Sequence, residues 1–391
     1  MKNQKTKVLV TDGLQKNTLA ILRSVGNKYE IGVTSPYPKI LTICFYSKYC
    51  RIKHSIKSEV NDIDKYAKEL LDIVKKDSYD VILPVGLKSC LAVSKYKKDF
   101  LNHTHAIVPD YDHMMIAFYK NKTIDLANKL KIPVPETEII NNRDDIQNIK
   151  RFPVIIKSSD DSGEFIKYCN NKKELLENFR YLKKISKTPI FVQEYIKGFG
   201  CGFYGIYDKG KLRAHFLHKR IKEFPITGGP STVAESYFDN KLFDYGKKIC
   251  DALKWNGPIM VEFKYDVKQN NYKLIEINPK LWGSLDLTIS AGINVPEILI
   301  KLALGEEQLA MKKYRDIKYR WVFPDEFKSL MSHPSIKNIK SFLQKDRNTK
   351  TNIILSDPIP TIIQFFRGII EGTLIIMSSK RKFPHGKIKI K

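Results

Sequence analysis

No cysteine pair in this chain is spaced to hold a metal. The six cysteines, Cys44, Cys50, Cys90, Cys169, Cys201 and Cys250, contain no CxxC and no zinc-type pattern, which excludes a zinc ribbon and leaves reduced cytosolic thiols as the simplest account. No signal-peptide-like hydrophobic run follows Met1, so a cytoplasmic location is expected. No long low-complexity stretch and no evident internal repeat is present either, as expected of a folded soluble protein. There is no recognisable nucleic-acid-binding motif, so specific DNA or RNA binding is not expected. No Ser-His-Asp or Cys-His arrangement stands out, and a side-chain nucleophile is not needed. His215 and His218 lie three apart in a strand-like stretch, face opposite ways and make a poor metal pair.

Acidic charge is in short supply. Lys and Arg number 68 against 42 Asp and Glu, a formal net charge of +26. Residues 312–391 hold 18 of the basic and 6 of the acidic residues, so nearly half the excess lies in the last fifth of the chain. Such a field favours phosphorylated or carboxylate substrates, anionic lipid or nucleic acid, although a general lysine preference of the source would produce it as well.

What is present is a folded chain of several units. A length of 391 residues with 42% hydrophobic and 11% aromatic side chains suits two or three domains with real cores. The start reads as a βαβ opening: Lys7-Val-Leu-Val-Thr-Asp-Gly13, an apolar-periodic stretch through Leu19, Leu22 and Val25, then Tyr29-Glu-Ile-Gly-Val33. A helix over 63–74 leads to the buried parallel-type strand Tyr79-Asp-Val-Ile-Leu-Pro-Val85, and His105-Ala-Ile-Val-Pro109 is expected to close the sheet. Residues 1 to about 112 therefore look like a small Rossmann-like α/β unit, while Gly13 alone makes no dinucleotide fingerprint. A helix over 121–130 stops at Ile132-Pro-Val-Pro135, since proline cannot continue it. A small α+β unit follows to Pro189 and a larger sheet unit after it.

Two glutamates carry the chemistry. Glu262 and Glu276 lie on the apolar runs Ile259-Met-Val-Glu-Phe263 and Leu274-Ile-Glu-Ile-Asn-Pro279, joined by a turn-rich stretch. In a hairpin pivoting near Gln269, period-2 alternation sets Glu262 across from Glu276 with Asn278 on the same face, and turns Ile275 and Ile277 into the core. Facing carboxylates repel, whereas two glutamates and an asparagine suit Mg2+ bound partly through phosphates. A pair of solvated glutamates is the alternative.

Other groups could handle a nucleotide. Lys157 ends an apolar strand where the loop Ser158-Ser-Asp-Asp-Ser-Gly163 begins, a place for an ammonium over phosphates with Ser158 and Gly163 backbone alongside. Glu194, Tyr195 and Ile196 could form a hinge reading an adenine edge; a plain buried strand fits equally. Lys219 and Arg220 precede the loop Glu223-Phe-Pro-Ile-Thr-Gly-Gly-Pro-Ser-Thr232, an anion cradle in which strand parity selects Arg220 and the hydroxyl of Ser231 is available.

Read in order, Asn121-Lys122, Ile132-Pro-Val-Pro135, Pro153-Val-Ile-Ile-Lys157, Gln193-Glu-Tyr-Ile196, Val261-Glu262 and Glu276-Ile-Asn-Pro279 resemble the ATP-grasp superfamily over about residues 5–305. The likeness is to carboxylate-amine ligases related to the carbamoyl phosphate synthetase large subunit. It implies a Rossmann-like pre-ATP-grasp domain (1–112), an ATP-grasp small subdomain with a helical lead-in (113–189), a large subdomain with the metal site (190–305) and a basic helical C-terminal extension (306–391). It further implies that Lys122 and Lys157 contact ATP phosphates, that Glu194, Tyr195 and Ile196 hold adenine, and that Glu262, Glu276 and Asn278 bind Mg2+, with Mn2+ an acceptable substitute. Two departures stand out: Lys280 where relatives often carry arginine, and Cys201 where many have a ribose-binding glutamate. Lysine is a point charge and loses bidentate recognition.

The implied reaction activates a carboxylate as an acylphosphate for an amine, with Arg220, Lys280 and Ser231 as catalytic candidates and small-molecule carboxylate and amine as substrates. A bicarbonate-dependent carboxylase or carboxylate kinase stays open, as does an inactive basic scaffold or peripheral membrane protein. A homodimer is admitted. At the C-terminal end the run to Met377 reads as an amphipathic helix with Ile362, Phe366, Ile369, Ile370 and Met377 on one face and Gln364, Arg367 and Glu371 on another. Docking of this helix onto the enzyme body is favoured over contact of residues 359–391 with anionic lipid at the inner membrane surface.

Overall fold

Strand β1 (Lys7–Val10) buries Val8, Leu9 and Val10 in succession, as a parallel strand covered on both faces must. A computed structural model describes residues 5–158, 166–186, 188–225, 228–307, 313–344 and 346–386. In it β1 sits between β2 (Glu30–Ser35) and β4 (Val81–Leu83), with β3 (Ile52–Ser55) beyond β2, all parallel in the order β3-β2-β1-β4. The order reverses at β1, leaving a crevice at the carboxyl ends of β1 and β4. The strand expected at 105–109 reduces to one bridge between Val81 and His105. Its place as fourth strand goes to β3, whose sequence Ile-Lys-His-Ser shows no apolar run because it is a half-exposed edge.

The next sheet is antiparallel: β5 (Thr137–Ile140), β6 (Val154–Ser158), β7 (Ile166–Cys169) and β8 (Ile190–Glu194) in the order β5-β8-β6-β7. The helix Lys172–Ile185 covers it, burying Leu175, Phe179 and Leu182 at helical spacing, and Asn171 caps the helix by accepting from the Glu174 N–H at 2.9 Å.

The largest sheet holds β9 (Gly200–Asp208), β10 (Lys211–Glu223), β11 (Ser231–Ser236), β12 (Gly257–Asp266), β13 (Asn271–Asn278), β14 (Lys318–Arg320) and β15 (Thr349–Thr351), ordered β13-β12-β9-β10-β11-β14-β15. One core runs from Val8 and Val33 of the parallel sheet through Trp282, Leu285 and Leu299 to Tyr204 and Phe216 of this sheet. The first and third sheets are thus welded by apolar packing, and the second stands apart on its own cluster around Ile156, Leu175 and Val192.

The C-terminal segment adds β14 and β15 to the large sheet and ends in the helix Pro358–Ile376. Asp357, before that helix, accepts from Arg23 Nε at 3.0 Å and from Ser47 Oγ at 2.9 Å. The helix docks through the face that carries Gln364 and not through its row of large apolar side chains. Pro360, Gln364, Gly368, Gly372 and Ile375 are buried, while Ile362, Phe366, Ile370 and Met377 are 51%, 59%, 62% and 78% exposed. The glycines decide this: a Cβ on Gly368 would meet Phe323 at 2.9 Å and one on Gly372 would meet Phe327 at 2.8 Å. Close backbone approach selects the glycine stripe and leaves the large apolar side chains outside.

Candidate functional site

A cleft of about 400 Å3 opens between the second and third sheets. Hairpin β12–β13 supplies its acidic wall. The register pairs Glu262 with Glu276, and the Asn278 amide donates to Glu276 Oε1 at 2.9 Å and to Glu262 Oε1 at 3.4 Å. The three side chains converge as alternation demands. Ile275 departs from expectation: the register shifts between Glu262 and Phe263, so Ile275 is an extra residue in a bulge and lines the cleft, while Ile277 stays in the core.

Arg220 crosses to this wall from β10. Its Nη2 lies 2.5 Å from Glu262 Oε2, and Nη1 donates to Glu223 Oε1 at 3.3 Å and to the Gly229 carbonyl at 3.2 Å. Lys219, pointing the other way, pairs with Glu235 at 3.0 Å. Gly229 allows the loop to close: a Cβ there would stand 2.4 Å from the Phe224 carbonyl. Burial pushes Glu262 up to about 7, Arg220 opposing the rise and the charge of Glu276 adding to it. For Glu276 burial also favours the neutral acid, but Lys120, the Asn278 amide, Lys157 and Lys280 outweigh it and hold the group below its ordinary value. One half-buried carboxylate is therefore held in its ionised form beside one pushed toward the neutral acid.

Among the described residues no group of three or more His, Cys, Asp and Glu forms a metal cage. Two carboxylates plus an amide oxygen instead suit a divalent cation that keeps water and takes further oxygens from phosphates, the habit of Mg2+. The donor set fits.

The opposite wall is basic and aromatic. Lys157 is buried with its Nζ 2.7 Å from Gln193 Oε1, and Gln193 in turn donates to Thr137 Oγ1 at 2.9 Å. Gln193 stands in the stretch Gln193-Glu-Tyr-Ile196 with no role expected of it; a buried lysine needs a polar neighbour, which is the signal that could have found it. Glu194 and Ile196 line the cleft, and Glu194 Oε2 accepts from Lys273 Nζ at 2.8 Å. Tyr195 stands edge-on to Tyr168 at 5.8 Å and under Lys264 at 5.0 Å. Lys280 lines the cleft beside Trp282 and Gly283.

Four expected residues, Tyr195, Lys122, Ser231 and Ser158, are not among the residues that line the cleft. Lys122 is exposed, its ammonium over the Tyr119 ring at 5.3 Å, whereas Lys120, which opens the same helix, is buried and lines the cleft. Two residues along a helix turn the side chain by more than half a revolution, so only one of the two lysines can face inward. Ser231 is buried opposite Glu223 at the start of β11, and Ser158 is buried opposite Ile190; neither is among the cleft-lining residues. Gly163 lies outside the described residues. Cys201 is buried, its Sγ 3.7 Å from the Phe263 carbonyl, and takes no part in the cleft. Tyr168, Lys264 and His385 line the cleft without having been singled out.

Residues 188–323 match the family described as ATP-grasp in the biosynthetic pathway with Ter operon. The carbamoyl phosphate synthase large chain of Archaeoglobus fulgidus is 22% identical over 254 residues, 61% of this chain and 23% of that protein, so the chain spans about a quarter of that relative's length. Among solved structures, N5-carboxyaminoimidazole synthetase from Staphylococcus aureus superposes with a TM-score of 0.64 at 14% identity, covering 84% of this chain and 86% of that one. The biotin carboxylase domain of Hydrogenobacter thermophilus 2-oxoglutarate carboxylase, solved with MgADP and bicarbonate, gives 0.63 at 18% identity, covering 81% and 73%. The L-amino acid ligase of Bacillus licheniformis gives 0.59 at 13%, covering 78% and 76%. These structural likenesses establish a mixed α/β fold of this type.

Proposed function

We propose, from the premise that this chain carries an ATP-grasp domain homologous to that of the carbamoyl phosphate synthase large chain, that it is an ATP-dependent carboxylate-amine ligase releasing ADP and phosphate. The observation that carries the reading is the meeting of Glu262, Glu276 and Asn278 with Lys120, Lys157, Arg220 and Lys280 in one cleft. Residues 1–112 then serve as a Rossmann-like pre-ATP-grasp domain, 113–189 and 190–305 as the small and large ATP-grasp subdomains, and 306–391 as a basic extension.

Glu262, Glu276 and Asn278 would hold Mg2+, or Mn2+ in its place, which when bound neutralises charge on the phosphate oxygens. Lys157, fixed by Gln193, and Lys120, in place of Lys122, supply ammonium groups for the phosphates. The segment Glu194, Tyr195 and Ile196 offers apolar surface and backbone groups for the adenine. An oxygen of the substrate carboxylate attacks the γ-phosphorus while the bond to ADP breaks, giving an acylphosphate. The amine nitrogen adds to the carbonyl carbon, phosphate departs with the C–O electron pair, and the amine loses a proton. Lys280 stabilises the oxyanion at that carbon, and Arg220 orients the anionic substrate.

A second reading concerns location. The exposed stripe of Ile362, Phe366, Ile370 and Met377, with Arg381 and Lys382 after it, suits the cytoplasmic face of an anionic membrane, apolar side chains in the acyl boundary and cations among head groups.

Phosphate release from ATP is to be screened against pooled amino acids, amino sugars and carboxylates. Release that needs both a carboxylate and an amine supports the ligase; release that needs bicarbonate instead replaces it with a carboxylase.

A further inference from the structure

The chain returns to the cleft near its C-terminal end. Strand β7 is the outer strand of the small sheet, and the N–H of Tyr168 on its free edge donates to the His385 carbonyl at 2.8 Å. Lys167 donates to the Pro384 carbonyl, and Phe383 stands edge-on to His333 at 5.3 Å. An edge donor that water would otherwise serve is thus taken by the tail.

This docking sets the His385 ring, 6.4 Å from that of Tyr168, among the residues that line the cleft with Lys157, Glu194 and Gly228. Its Nδ1 is buried and has no hydrogen-bond partner among the described residues. Burial first, and Lys167 second, favour the neutral ring against the pull of the Gly228 backbone. A buried ring nitrogen without a partner costs stability unless a ligand completes it.

We infer that residues 383–386 form a strap over the nucleotide cleft and that His385 hydrogen-bonds the bound adenine nucleotide, a contact supplied from outside the sheets that build the rest of the site. The inference rests on the nucleotide-site reading above and extends it to a segment distant in sequence.

The test is MgADP binding to the full chain by calorimetry, with hydrogen exchange at the Tyr168 amide as a second readout. His385→Ala weakens MgADP about five- to tenfold, the scale of one lost ligand hydrogen bond, with the melting temperature of the ligand-free protein not lowered. His385→Gln, which keeps a polar group of similar reach, recovers part of the affinity. In the parent chain MgADP slows exchange of the Tyr168 amide. Parent-like MgADP affinity in His385→Ala together with ligand-insensitive exchange at Tyr168 overturns the strap while leaving the ligase reading standing. No MgADP binding by the parent chain removes both.

Discussion

The guanidinium of Arg220 closes on the carboxylate of Glu262 at 2.5 Å, both side chains half-buried in the cleft wall, so the cleft contains its own counter-ion before any metal arrives. Removing it exposes the titration of Glu262. A carboxyl held above its unfolded value contributes stability below that value and loses it as pH rises through about 7. Arg220→Met is therefore expected to destabilise the ligand-free protein more at pH 8 than at pH 5, by about 3 kcal/mol at the higher pH. Urea unfolding at the two pH values measures the difference; an equal loss at both contradicts the coupling.

Glu276 bears the ionised charge of the pair, and Asn278 is bound to it. Glu276→Gln is expected to leave the melting temperature within a few degrees of the parent while cutting ADP release on the order of 10²-fold or more, the scale of one preorganised electrostatic contact. Undiminished turnover in a coupled ADP assay would remove the metal assignment.

Lys120 and Lys122 form a matched pair of tests on one helix. Lys120→Ala should weaken nucleotide binding about tenfold, by loss of one partly desolvated charge contact, and Lys122→Ala should leave it unaltered. Calorimetry with MgADP on the two variants decides, and equal effects would mean that this helix rotates on binding.

The N-terminal unit and the C-terminal segment are tied by Asp325, which lies 2.6 Å from Lys16 and 3.3 Å from Lys328. Burial favours the neutral acid, but the two lysines prevail and hold its carboxyl below the usual range. A depressed carboxyl stabilises above its unfolded value and loses that contribution as pH falls. Asp325→Asn is expected to cost about 2 kcal/mol at pH 7, between the surface and buried limits, and progressively less as pH falls below the ordinary carboxylate range. Thermal unfolding across this range reads the convergence.

For the exposed helix face, Ile362→Glu, Phe366→Glu and Ile370→Glu combined should abolish flotation with vesicles rich in phosphatidylserine and leave turnover intact. All three positions are more than half exposed, so folding is little taxed. Flotation equal to that of the parent chain ends the membrane reading.

Much of the site was legible because strand alternation is a local rule. Glu262, Glu276 and Asn278 were placed together from a period of two, and Arg220 was preferred to Lys219 by the same parity. The rule failed where geometry stopped being regular. The bulge at Ile275 turned a core residue into the cleft, and the choice between Lys120 and Lys122 depended on how a short helix is rotated, which no run of ten residues specifies.

The sequence by itself determined the βαβ opening, the acidic hairpin and the presence of an apolar C-terminal helix, since each follows from contacts between near neighbours in the chain. Tertiary structure alone decided which side of that helix faces protein, because Gly368 and Gly372 win by backbone approach to Phe323 and Phe327, a fit invisible to hydrophobic periodicity. It also decided that His385 meets Tyr168 across more than two hundred residues, a pairing dictated by the open edge of β7.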